Sequence, residues 1–185
     1  MNDGEIVEMF LQRQEKAIEM LSMKYQAYCG KIAWNLLKNQ EDTEECLNDT
    51  WYAVWSHIPP QKPANLSVYV GRITRYLAID KLRKKMALKR ADAHQAEMLR
   101  EMDELNVSYT LDEQVAYQEL QRALHAFLKN LPEADRDIFI RRYWFMDEIR
   151  EIAKRHGVTA GSIKMNLYRN RKKLWKKLRE EGESE

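Results

Sequence analysis

Cysteine, proline and glycine are all scarce in this chain, and each scarcity closes off a class of protein. Two cysteines among 185 residues, Cys29 and Cys46, cannot build a disulfide framework. With no C-x-x-C and no paired histidines nearby, they read as reduced, partly buried thiols. Four prolines and six glycines are too few for a fibrous or low-complexity chain. No convincing run of alternating apolar and polar residues marks a half-buried strand, which leaves an all-α fold. No apolar run reaches the ~18 residues of a membrane span. The first residues, MNDGEIVEMF, lack the basic start and apolar core of a signal peptide, so a cytoplasmic location is expected. There is no P-loop, no H-E-x-x-H and no metal cluster. His57, His94, His125 and His156 are scattered. No catalytic residue, cofactor or metal is expected.

What is present is charge, and it is segregated. The formal net charge is only +2, yet residues 62–90 carry nine basic residues against the single acid Asp80. Residues 91–120 carry eight acids against the single base Arg100, and residues 121–185 are again basic. Two basic blocks around an acidic one point to two polyanion contacts joined by a spacer.

Helical spacing runs through most of the chain. Asp3 is a candidate cap for a first helix bearing Ile6, Met9 and Phe10. Ala17, Ile18, Leu21 and Tyr25, then Tyr28, Ile32 and Leu36, continue such faces. Asn39 is a candidate stop, and Asp42 with Glu45 a candidate cap pair for a helix through Trp55. HIPPQKPAN (57–65) holds three of the four prolines and must be a loop. Asn65 then caps a helix with the face Val70, Ile73, Leu77 and Leu82. Residues 91–112 read as an acidic linker, helical in part, with Ala96, Leu99, Met102 and Leu105 as its strip. Further helices are expected from about Asp112 to Lys129, after Pro132 in a first turn, from Asp147 to Arg155, and from Thr159 to about Arg179. The domain reading is 1–90, a linker 91–112, a second helical domain 113–180 and an acidic tail 181–185.

GVTAGSIKMNLYR (157–169) has the form of a helix-turn-helix. Gly157 supplies the left-handed turn, Val158 is expected to plug the corner, and Thr159 to cap the second helix. Ile163, Leu167 and Leu174 point inward. No acid occurs from Thr159 to Arg179, while basic residues crowd the opposite side. Early residues of such a helix reach base edges and later ones reach phosphates. The candidates are Thr159, Ala160, Ser162, Lys164, Met165, Asn166, Tyr168, Arg169, Arg171 and Lys172.

The helix after Asn65 is also basic, through Arg72, Arg75, Lys81, Arg83, Lys84 and Lys85, with Tyr69 and Tyr76 interleaved. Rings beside cations suit opened DNA, where unstacked bases lie on aromatic faces; each tyrosine alone suits a helical core equally well. EDTEECLNDTWYAVW (41–55) is acidic and aromatic. Such a face meets a basic groove on a protein partner, or it is a solvated face above a tryptophan core.

These stretches resemble, in order, the parts of a bacterial RNA polymerase sigma factor, of the small two-domain extracytoplasmic-function group of the sigma-70 family. EDTEECLNDTWYAVW resembles its polymerase-docking helix. NLSVYVGRITRYLAIDKLRKK resembles the segment that melts and reads the minus-ten element. LKNLPEADRDIFIRRYW with DEIREIAKRHGVTAGSIKMNLYRNRKKL resembles the domain that reads the minus-35 element. The resemblance implies that Asp42, Glu44, Glu45, Leu47, Asp49, Thr50 and Trp51 dock on core polymerase. It implies that Arg72, Arg75, Asp80 and Arg83 belong to the minus-ten helix, and that loop 58–65 captures a flipped base. Glu151, Ile152, Ala153, Gly157, Gly161, Ser162, Ile163 and Lys164 fit the helix-turn-helix pattern, and Arg169 and Arg171 its basic tail. The chain departs from that pattern at Met165-Asn166 and at Tyr76.

The implied partners are core RNA polymerase and promoter DNA, duplex at minus-35 and opened at minus-ten, with an anti-sigma factor as a further partner by analogy. Two other readings stay open on the sequence: a stand-alone helix-turn-helix regulator, and an interaction adaptor with no DNA role.

Overall fold

A computed structural model describes residues 2–87, 93–104 and 114–182. All regular structure among the described residues is helical: α1 Asp3–Leu11, α2 Lys16–Leu37, α3 Gln40–His57, α4 Leu66–Ala87, α5 Ala93–Glu104, α6 Gln114–Asn130, α7 Glu133–Tyr143, α8 Ile149–His156 and α9 Ala160–Gly182. The chain forms two compact units, Met1–Arg100 and Glu101–Glu185.

In the first unit α2, α3 and α4 pack on one another, and α1 packs against α2 and α4. The apolar spacing of α2 buries Ala17, Leu21, Tyr25, Cys29, Ile32 and Leu36. From α3 come Cys46, Leu47, Trp51 and Val54, and from α4 Leu66, Val70, Ile73, Ala78, Ile79 and Leu82. Leu77 is only half-buried, and Ala78 and Ile79 take the inward positions instead. Gly71 lets α4 lie directly on the Tyr28 ring of α2; a Cβ there would overlap the phenol.

Two caps differ from the sequence expectation. Asn2, not Asp3, caps α1 in a reciprocal box with Glu5, and Asn39, not Asp42, caps α3 by accepting from the Asp42 N–H at 2.9 Å. In both cases an asparagine upstream of the chosen acid starts the helix earlier and accepts from an orphan N–H of its first turn. That frees Asp3 and Asp42 for ion pairs with Lys24 and Lys85. The Asn65 cap is as expected, its Oδ1 accepting from Val68 N–H at 3.1 Å.

In the second unit α9 packs against α6, α7 and α8, and α7 against α8. Ala123, Phe127, Ile138, Phe139, Tyr143, Met146, Ile149, Ile152, Ile163, Leu167 and Leu174 are buried. Pro132 occupies the N-cap of α7, one place before the first turn. The acidic stretch after residue 90 holds α5, whose buried residues are Gln95, Met98, Leu99 and Glu101; of the expected strip Leu99 is buried and Ala96 is half-buried. Gln95 donates to the Leu36 and Leu37 carbonyls at 3.1 and 3.0 Å, closing the C-terminal end of α2. Leu105, Asp112 and the last three tail residues lie outside the described residues, as does the side chain of Met102.

The second unit contains a buried cation. Arg142 is fully buried; its Nε donates to Glu101 Oε2 at 2.7 Å and its Nη1 to the Asp147 carbonyl at 3.2 Å. Arg171 donates to the Tyr143 hydroxyl at 2.7 Å and lies 3.9 Å from Glu101. Burial raises the Tyr143 phenol to about 12, with the Glu101 charge adding to the rise, so it stays a neutral partner.

Candidate polymerase and promoter interfaces

The exposed face of α3 carries Glu41, Glu44, Glu45, Asn48, Asp49 and Tyr52, and the opposite face carries the buried Thr43, Cys46, Leu47, Thr50 and Val54. Glu41, Glu45, Asn48 and Tyr52 recur at helical spacing, so they form one acidic stripe with an aromatic on it. Tyr52 is 73 % exposed, the most open aromatic in the protein's described surface. Leu47, Thr50 and Trp51, expected on the docking face, are core instead. Thr50 is completely buried and its hydroxyl donates to the Cys46 carbonyl at 2.7 Å. Trp51 is buried too, one position short of the stripe. The sequence reading placed Trp51 on this face; the exposed aromatic there is its neighbour Tyr52, which has helical spacing with Glu41, Glu45 and Asn48.

Two of the acids are held by α4. Lys85 pairs with Asp42, and Lys81 Nζ lies 2.5 Å from Glu45 Oε2. Lys84 pairs within α4 with Asp80 at 2.8 Å. Arg83 and Lys84 are exposed, while Tyr69, Arg72, Tyr76, Lys81 and Lys85 are half-buried. Arg75 is buried at 4 % exposure, so it is a structural cation of the helical core rather than a DNA contact in this conformation. Tyr69 donates to Gln61 Oε1 at 2.9 Å, tying the proline loop to α4. Burial raises its phenol to about 12. That bond makes Tyr69 a brace for the loop before it is a platform for a base.

The helix-turn-helix is built as its sequence implies, with one exception. Gly157 ends α8 at φ 65°, the left-handed conformation that suits glycine. Thr159 Oγ1 accepts from Ser162 N–H at 3.1 Å, capping α9. Ile163 and Leu167 are buried. The exception is Val158, which is 46 % exposed, while Ile149, Ile152 and Ala153 of α8 are buried.

On α9, Ser162, Lys164, Met165, Tyr168, Arg169 and Lys172 are exposed, as is Thr159 before it, and Ala160 is half-buried. Lys172 lies over the Tyr168 ring, 4.8 Å from its centroid. Two candidates point elsewhere. Arg171 is turned to Tyr143 and Glu101, with only 12 % of its side chain exposed. Asn166 donates from Nδ2 to Asp135 Oδ1 at 2.6 Å and accepts from Asn170 Nδ2 at 2.8 Å. Behind the turn, Asp137 joins α7 to α8: Arg141 at 2.8 Å and His156 at 2.9 Å both contact its Oδ2.

The first unit thus presents an acidic and a basic helical surface and the second a basic one, and both units match known protein families. Residues 21–87 match Sigma-70 region 2, and residues 121–174 match Sigma-70, region 4. The chain belongs to the sigma-70 family. It is a sigma factor, acting in promoter recognition and transcription initiation, and these regions imply interaction with core RNA polymerase and promoter DNA. Comparison with curated proteins returns no match. Region 2 spans the α2–α4 packing, and region 4 spans most of α6 and the helix-turn-helix. Among the described residues no helix is long and apolar enough to cross a membrane.

Proposed function

We propose that this sigma factor belongs to the extracytoplasmic-function group and works in the cytoplasm as a promoter-specificity subunit of core polymerase, making and breaking no bond itself. The α3 stripe of Glu41, Glu44, Glu45, Asn48, Asp49 and Tyr52 docks on a basic surface of the enzyme. The α4 surface around Arg72, Tyr76, Arg83 and Lys84, with loop 58–65, holds the opened minus-ten strand. Unpairing and flipping a base costs a few kcal/mol, which cationic contacts to phosphate offset. Helix α9 enters the major groove at minus-35 through Ser162, Lys164, Met165 and Tyr168, with Arg169 and Lys172 toward phosphates. An anti-sigma factor is a further partner of the same reading.

The observation that carries it is the pairing, in one chain, of an acidic aromatic stripe on region 2 with a basic recognition helix on region 4 that carries no acid before Glu180. Neither surface alone requires polymerase; together they describe a DNA reader that is delivered by a protein partner. The test is transcription in vitro with core polymerase on a promoter library. Selection of templates sharing two spaced elements is expected. Tight binding to duplex promoter DNA without polymerase, by a dimer, would instead make the chain a stand-alone regulator.

A further inference from the structure

The outermost stripe of the recognition helix is apolar at its centre. Gly161, Met165, Tyr168 and Lys172 follow at spacings of four and three, and so lie on one line along α9. The buried residues Ile163, Leu167, Asn170 and Leu174 lie on the opposite side. Met165 is 54 % exposed and is the first side chain on this line after the glycine, with Val158 exposed in the preceding turn. An exposed thioether in the second turn of a polar, cationic helix, on the side away from the buried residues, is not there to fill a core.

Two polar side chains beside this line, Asn166 and Ser162, are already hydrogen-bonded within the protein. An asparagine reads adenine by presenting its amide donor and acceptor together. In Asn166 each group already makes one bond inside the protein, the amide N–H to Asp135 of α7 and the oxygen from Asn170, and these fix the direction of the amide. Asn170 Nδ2 also lies 3.4 Å from Asp135 Oδ2, which closes the three into one network between α7 and α9. The Ser162 hydroxyl bonds the Thr159 hydroxyl at 2.9 Å.

From these two observations we infer that Met165 is a specificity-determining residue that reads the C5-methyl group of thymine by apolar contact, while Asn166 is a positioning residue that sets the pitch of α9 through Asp135. The major groove displays that methyl group at every A·T pair, and apolar side chains recognise it. The inference rests on α9 entering the major groove as proposed above, and it names the base chemistry read there. Lys172 and Tyr168 continue the line: the cation over the ring holds the aromatic face beside Met165 and carries charge toward the backbone.

The experiment uses the full chain with core polymerase. A promoter library first gives the minus-35 element; absence of any promoter-specific transcription would defeat the functional reading itself. On a selected promoter, each minus-35 thymine on either strand is replaced by deoxyuridine, which removes only the methyl group. Burying one such group against Met165 predicts an about fourfold loss of initiation at one or two positions. Met165→Ala is expected to lose as much on the thymine template and to show no further loss with deoxyuridine. Asn166→Ala is expected to weaken initiation on all templates while keeping the order of base preference. The inference is overturned by a minus-35 element with no thymine on either strand, by indifference to every deoxyuridine, by an undiminished methyl effect in Met165→Ala, or by a changed base preference in Asn166→Ala.

Discussion

Lys81 of α4 lies 2.5 Å from Glu45 of α3, so a cation of the helix proposed to hold promoter DNA is bonded to an acid of the helix proposed to dock on polymerase. Glu45 is 64 % exposed, and such a pair contributes at most about 1 kcal/mol. Its stability role and its docking role are therefore separable. Exchanging the charges, Glu45→Lys with Lys81→Glu, is expected to restore the melting temperature that either single change lowers. The exchanged protein is still expected to bind core polymerase poorly, because the stripe now carries a cation. Wild-type retention of the exchanged protein on immobilised core enzyme would remove Glu45 from the docking surface.

The adjacent aromatics Trp51 and Tyr52 are expected to divide the same two roles. Trp51 is buried and Tyr52 exposed on the acidic stripe. Tyr52→Ala is expected to leave thermal stability within about 0.5 kcal/mol. It is expected to weaken polymerase binding by at least tenfold, since an aromatic anchor contributes roughly 2 kcal/mol or more. Trp51→Ala is expected to cost about 3–5 kcal/mol of stability through the cavity it leaves. Equilibrium binding to core polymerase and urea unfolding separate the two; equal effects on both assays would contradict the assignment.

What was legible in the sequence was local. Gly157, Thr159, Ile163 and Leu167 define the helix-turn-helix within a dozen positions, each by its own backbone or spacing signal. The all-α class followed from the same periodicities. The face of α3 and α4 that turns inward was harder, because Thr50 and Arg75 are polar residues buried by neighbours distant in sequence. The caps were ambiguous for a different reason: Asn2 beside Asp3, and Asn39 near Asp42, offer two acceptors for one helix start. Arg142 could not be read as buried at all, since its partner Glu101 lies 41 positions away in a stretch that read as linker.

That buried pair has an asymmetric energetic signature. Removing Glu101 alone leaves Arg142 charged, fully buried and short of its closest acceptor. Glu101→Ala is expected to destabilise the second unit by about 3–5 kcal/mol. Replacing both partners by apolar residues of similar volume, Glu101→Leu with Arg142→Met, is expected to recover most of that loss. Urea unfolding of the full chain checks it. A double variant no more stable than Glu101→Ala would show that the Asp147 carbonyl, not Glu101, is the principal partner of Arg142.

The two cysteines should be chemically silent in the folded protein. Burial raises the Cys29 thiol to about 11 and the Cys46 thiol to about 12, and both are free. The thiolate is the reactive form, so neither is significantly ionised at neutral pH. Labelling by an aromatic disulfide reagent at pH 8 is expected to be slow under native conditions and to give two equivalents at once in denaturant. Rapid native labelling of one thiol would show that the first unit opens locally around α2 or α3.

Asp137 makes a pH-dependent lock behind the recognition helix. Burial alone would raise its carboxyl, but hydrogen bonds from Arg141 and His156, with the Arg141 charge, hold it below the ordinary carboxylate value of 3.8. Asp147 also faces Arg141, at 3.2 Å, and Arg155 approaches Asp137 to 4.0 Å, so the carboxylate sits among cations from α7 and α8. A depressed folded value means that ionised Asp137 favours the folded state. Its contribution is complete above the unfolded value and disappears as the pH falls through the folded one. Asp137→Asn is therefore expected to be less stable than the wild type at pH 7, and the gap to narrow below pH ~4 and close in stronger acid. Because Asp137 is more than a third exposed, the gap at pH 7 is modest and shrinks with added salt. Melting curves of both proteins across that range test the sign: a gap that widens on acidification would mean that Asp137 is held protonated, and that Arg141 and His156 do not stabilise its charge.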